Sequence, residues 1–91
     1  MLFLKFLRIL AVIEYMIHLV LKSSKRVLSG LPRFEQFLEV YDLKIVNRSE
    51  NKNRKTIKLE INARLFPEIR WVTSTSYDFF EEDLISITTF Y

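Results

Sequence analysis

A lone histidine, one carboxylate cluster and one basic run are the residues of this chain whose types could do chemistry. His18 has Glu14 and Lys22 four residues to either side. On a helix, a Glu-x-x-x-His pair offers two metal ligands from one face, but a working site needs at least a third. No further ligand is marked by spacing, and no nucleophile is marked for the imidazole to activate. Asp78, Glu81, Glu82 and Asp83 form the carboxylate cluster. Paired carboxylates do acid–base work or hold a divalent cation. This stretch lacks the turn glycine and the alternating Asp/Asn ligands of a calcium loop, and it reads as a solvated turn.

The basic run is the sharper option. Arg48, Lys52, Arg54 and Lys55 would sit at a hairpin tip, where cations contact the phosphates of RNA or DNA. No aromatic side chain is interleaved among them to stack on bases. Glu60, beside Lys58 and Arg64, interrupts the positive field further along. Asn47-Arg48-Ser49 matches a glycosylation sequon, which matters only in a secreted chain.

Composition removes other chemistries. The chain has no cysteine and one glycine, which excludes disulfides, Cys-based zinc sites, thiol catalysis and Gly-rich phosphate loops. The expectation is a protein that is not an enzyme and carries no cofactor. Of 91 residues, 49% are hydrophobic and 27% charged, a balance that makes one globular domain rather than a disordered segment. Eight Phe, four Tyr and one Trp supply large side chains for a small core. Residues 1–34 hold six bases against Glu14, whereas residues 35–91 hold eight bases against ten acids. Such a dipolar chain can pair its own halves or a neighbour's, so the basic balance does not by itself indicate nucleic acid.

The element that must accommodate the rest is the apolar N-terminus. Residues 1–28 read as a long amphipathic helix, with Leu2, Phe6, Ile9, Leu10, Ile13, Met16, Ile17 and Val20 on one face. Lys5, Arg8, Glu14, His18, Lys22, Lys25 and Arg26 take the other, diluted by Leu4, Leu7, Ala11, Val12 and Leu19. Apolar residues on both sides imply that the back of the helix is covered too. Ionisable groups near a helix centre cost about 2.5–3.5 kcal/mol each on insertion scales, which makes bilayer insertion marginal. A secretory signal lacks its cleavage site, and a mitochondrial presequence would be less rich in Leu, Ile and Phe. A core or partner-packed helix is therefore preferred to a membrane-associated one, and both to a cleaved leader.

Ser29-Gly30-Leu31-Pro32 predicts a stop, and a short second helix over 32–40 would carry Phe34, Phe37, Leu38 and Tyr41 as an aromatic core stripe. The period then changes to alternation. Strands are expected at Tyr41–Ile45, Thr56–Leu65, Ile69–Tyr77 and Leu84–Tyr91, with a polar turn over 47–55 and an acidic one over 78–83. The Thr56–Leu65 strand is the cleanest: Ile57, Leu59, Ile61, Ala63 and Leu65 alternate with Lys58, Glu60, Asn62 and Arg64, one face buried and one wet.

These elements predict an α+β fold: the long N-terminal helix and the short second one packed on a four-stranded antiparallel meander spanning 41–91. An apolar last strand must pair centrally or be an edge completed by another chain. The expected function is association through the N-terminal helix, with Leu4, Lys5, Leu7, Arg8 and Val12 at the contact. The partner would be a second copy, a larger complex or a membrane surface, in an intracellular setting, soluble or peripheral to a membrane. Nucleic acid bound by Arg48, Lys52, Arg54 and Lys55 is the second reading.

Overall fold

The computed structural model describes residues 14–90. They form β1 (Tyr15–Lys22), α1 (Lys25–Val40), β2 (Ile45–Asn51), β3 (Thr56–Ala63), α2 (Phe66–Phe80), a 3-10 turn (Glu81–Asp83) and β4 (Leu84–Phe90). The strands make one antiparallel sheet in the order β2-β3-β1-β4. The fold is therefore α+β, with a four-stranded antiparallel sheet and two helices, as expected. Its β-α-β-β-α-β order is that of the ferredoxin-like arrangement of two split βαβ units, not a meander.

The largest correction concerns residues 15–28. The expected long N-terminal helix is not formed there: Tyr15–Lys22 is a strand, and the first helix begins at Lys25. Ile17, Leu19 and Leu21 are fully buried beneath the helices, while Met16, His18 and Val20 lie half-buried on the opposite face. β1 is central, hydrogen-bonded to β3 on one side and β4 on the other. A central strand with one face packed and the other partly covered is apolar at both parities, and a short apolar run of that kind also fits a helical period. Residues 1–13, with Leu4, Lys5, Leu7, Arg8 and Val12, lie outside the described residues.

α1 runs through the expected stop. Ser24 caps it, its Oγ accepting from the Val27 N–H at 3.2 Å, and both Gly30 and Pro32 lie inside the helix. An internal proline costs roughly 3 kcal/mol of helix stability. Here the buried stripe Val27, Leu31, Phe34 and Leu38 outweighs it, because a helix in a protein is held by the packing of its apolar face more than by propensity.

The expected strand over Ile69–Tyr77 is instead α2. Its composition is rich in β-branched and aromatic residues, but the start is fixed chemically. Glu68 Oε1 accepts from the N–H groups of Arg64 at 2.9 Å and Leu65 at 2.8 Å, and Pro67 sits in the first turn, where its missing N–H is harmless. Val72, Ser76 and Phe80 then fall on the sheet side at helical spacing. The hydroxyls of Thr73 and Ser76 donate to the carbonyls of Ile69 and Val72, at 2.8 and 2.7 Å, so the buried serine is satisfied.

β3 follows its expected alternation, with Ile57, Leu59, Ile61 and Ala63 buried. β4 likewise starts at Leu84, though a bulge between Ser86 and Leu84 leaves Ile85 without a partner on β1. Alternation along β1 is directly testable. Leu19→Ala should lower the urea-unfolding free energy by about 2–5 kcal/mol, and His18→Ala by no more than about 1 kcal/mol. Equal losses at 18 and 19 would contradict the strand.

Candidate functional site

Three surfaces gather chemistry-bearing or unpartnered side chains: the basic hairpin, the acidic turn and an aromatic seam between the helices. The hairpin joins β2 to β3. Arg54 N–H donates to Asn51 Oδ1 at 3.0 Å, and the Ser23 N–H donates to the Lys55 carbonyl at 2.9 Å, tying the tip to the end of β1. Lys55 adopts φ 54°, a left-handed backbone that costs a side-chain-bearing residue about 1–2 kcal/mol relative to glycine.

The structure brings together some of the expected phosphate-binding residues and separates others. On the helix-free face of the sheet, an open cleft of about 530 Å³ is lined by Ser49, Asn51, Lys52, Arg54, Thr56 and Lys58 among others. Lys52 and Arg54 form no ion pair among the described residues. Arg48 stands apart. It is opposite Leu59 in register, on the helix side of β2, where it joins Glu35 and Glu39 in lining a different cleft and pairs with Glu50 at 3.1 Å. Lys55 does not line the basic cleft. Lys58 does, while also contacting Glu60 at 3.4 Å.

His18 shares this helix-free face. Its ring lies 4.6 Å from that of Phe90 and its Nε2 is 3.9 Å from Glu60. The Glu14–His18 ligand pair read from a helical period does not exist. Four residues along a strand span roughly 13 Å. Among the described residues, no three His, Asp or Glu side chains converge as a metal site.

The acidic turn is tied into the fold. Arg26, in the first turn of α1, contacts Glu82 at 3.2 Å and the mostly buried Asp83 at 3.4 Å. This pair anchors the entry to β4 against α1, and the cluster is neither solvated throughout nor free.

The aromatic seam is only half visible in the sequence. Phe34 meets Phe79 and Phe80 at ring distances of 5.6 and 5.0 Å, and Phe37 meets Phe79 and Trp71 at 5.9 and 6.0 Å. Tyr41 packs edge-to-face on Trp71 and stacks beside Phe37. The inner end, Phe34, is fully buried, whereas Tyr41 at the outer end is 45% exposed. Tyr41, Pro67, Glu68 and Trp71 line a shallow apolar recess there, and Leu65, exposed at 63%, lines the adjoining cleft with Tyr41 and Glu14. Phe34, Phe37 and Tyr41 are legible as one helical stripe, whereas Trp71 and Phe79 fall in an expected strand and an expected turn.

No family model, curated protein or solved structure matches the chain.

Strain at the hairpin tip gives a test of its geometry. Lys55→Gly should raise stability by about 1 kcal/mol, seen as a rise of roughly 4–8 °C in thermal midpoint. A lower midpoint would mean that Lys55 makes a contact worth more than its backbone cost.

Proposed function

We propose that the protein works by association, not catalysis, and that its contact surface is the outer end of the aromatic seam. The observation carrying this reading is the apolar group of exposed Tyr41, Leu65 and Pro67 around the half-buried Trp71, backed by Phe37. Rigid aromatic side chains partly desolvated in advance, with a polar rim, are what interface anchors are made of. Glu68, Asp42, Lys44 and Arg64 surround the recess and the cleft beside it, so both charge signs are available to fix orientation. Glu14 lines that same cleft. Leu4, Lys5, Leu7, Arg8 and Val12 belong in this proposal as a second part of the contact. The partner is an apolar polypeptide surface. Among the described residues no helix is long and apolar enough to cross a membrane.

Photocrosslinking tests this. A photoreactive phenylalanine analogue at Tyr41 should give a protein adduct of one defined mass, lost when Leu65→Asp is added. The same analogue at Asn53, on the opposite end of the sheet, should give none. Absence of an adduct at 41, or equal labelling at both positions, would sink the reading, and labelling of lipid would replace the protein partner by a membrane.

A second reading has its own observation: Lys52, Arg54 and Lys58 converge on one cleft of the helix-free face, with the His18–Phe90 ring pair on the same face. In this reading a single-stranded nucleic acid lies along that face. Three phosphate contacts imply that affinity falls about 20-fold between 50 and 200 mM salt, from the salt slope for single strands. Fluorescence anisotropy with a labelled oligonucleotide should show that dependence and its loss in the Lys52→Gln, Arg54→Gln, Lys58→Gln variant. Absent or salt-insensitive binding would end this reading.

A further inference from the structure

The two edges of the sheet differ in a way that points to a partner. β2 carries Arg48 and Glu50, and its register slips at Val46, between Ile45 and Asn47. Charges and bulges are how a free edge avoids pairing with another chain. β4, at the other edge, reads Leu-Ile-Ser-Ile-Thr-Thr-Phe. It has no charge and no proline, and its sole bulge lies at its start. Among the described residues it is paired only with β1, and no described strand meets its outer row of N–H and C=O groups.

The surface beside this edge is apolar as well. Trp71 and Phe79 turn one flank of α2 toward α1, and the helical period places Phe66, Arg70, Thr73 and Tyr77 on the opposite flank, above β4. Phe66 is 59% exposed, Tyr77 55% and Ile85 51%. Arg70 is the charge on that flank, with a long stem able to carry its head to solvent.

We propose that β4 pairs antiparallel with β4 of a second copy about a two-fold axis, joining two sheets into one of eight strands. α2 and its symmetry mate then lie side by side, covering Phe66 and Tyr77. A second copy is the occupant because a two-fold interface must be self-complementary. An uncharged strand meets that condition in any antiparallel register, setting no like charges opposite one another. This surface is separate from the outer end of the aromatic seam, so the dimer and the association proposed there stand or fall independently.

Sedimentation equilibrium of the full chain tests the inference. The expected result is a species of twice the 11.0 kDa chain mass. Ile85→Lys with Thr88→Lys should raise its dissociation constant more than about tenfold, with the far-UV circular dichroism retained. Should that pair impair folding, Tyr77→Asp on the exposed flank of α2 should weaken the dimer alone. Trp71→Ala should leave it unchanged. A folded 11.0 kDa monomer at about 100 μM, too weak an association to matter on the scale of ordinary oligomers, would overturn the proposal. So would a dimer lost with Trp71→Ala but indifferent to both the edge pair and Tyr77→Asp.

Discussion

β1 is the constraint on which the rest of the structure depends. It joins the β2–β3 hairpin to β4, hydrogen-bonded to β3 along one edge and to β4 along the other, and Ile17, Leu19 and Leu21 put three fully buried side chains under both helices. Neither neighbour is near it in sequence. The β2–β3 hairpin can form locally, but it gains the rest of its sheet only when β1 docks across β3. β4 then has an edge to join only because β1 is in place. Pairings of this kind must offset the entropy of closing long loops, which explains why the central strand is so apolar on its packed face. The ordering also leaves β4 as the last strand of the sheet among the described residues.

Local chemistry was legible in the sequence and non-local chemistry was not. β3 could be read because its alternation is strict and its polar residues are charged, so only one period fits. β4 follows the acidic residues as expected, but the strand expected at Tyr41–Ile45 lies instead at Ile45–Asn51 and the turn expected over 47–55 shrinks to 52–55. The reason is that the polar residues 47–51 pair with β3 along an edge whose outer side needs no apolar cover. β1 was misread because its open face carries Met16 and Val20 instead of charges, and the coverage that permits this comes from residues far along the chain. α1 was cut in two because Gly30 and Pro32 are strong local breakers. What overrules them is the continuous burial of Val27, Leu31, Phe34 and Leu38, a property of the folded layer. α2 was misread in the opposite sense. Ile69, Trp71, Val72, Thr73, Thr75 and Tyr77 favour a strand by composition, while the decisive signal is a single side chain, Glu68, reaching back to the N–H groups of Arg64 and Leu65.

The same division runs through the candidate surfaces. Cations clustered in sequence suggested one phosphate site, yet strand alternation places Arg48 on the helix side of β2 and Lys58 on the other with Lys52 and Arg54. Of the expected four, Arg48, Lys52, Arg54 and Lys55, only Lys52 and Arg54 line one cleft, and Lys58, outside that set, joins them there. The aromatic seam shows the reverse case. Tyr41 and Trp71 are thirty residues apart and meet because α1 and α2 run side by side over one sheet. Once α2 is read as a helix, Trp71 and Phe79 fall on the flank that α1 covers. The error in secondary structure was thus also the error that hid the seam.

The hairpin cations and the outer aromatic surface lie at opposite ends of the molecule, and this separation follows from the topology. The end of the sheet carrying the hairpin tip collects Lys22, Lys52, Arg54 and Lys55, because the tip is bonded back to Ser23. The opposite end, where β1 begins and α1 finishes, collects Tyr41, Leu65 and Trp71 around Glu14. Solvent favours such an arrangement only at the cationic end. An exposed cation keeps its hydration, whereas exposed aromatic rings gain by losing theirs. The uncharged β4 connects the two ends along one side. Paired with β1 alone among the described residues, and lying beside Phe66 and Tyr77, its outer edge sets a stricter geometric demand, since only an extended chain can satisfy it. In the proposed contacts the aromatic end would take an apolar surface of suitable shape and the strand edge a strand. The two proposals thus rest on different physics, one on desolvation and one on hydrogen-bond direction, within a chain of 91 residues.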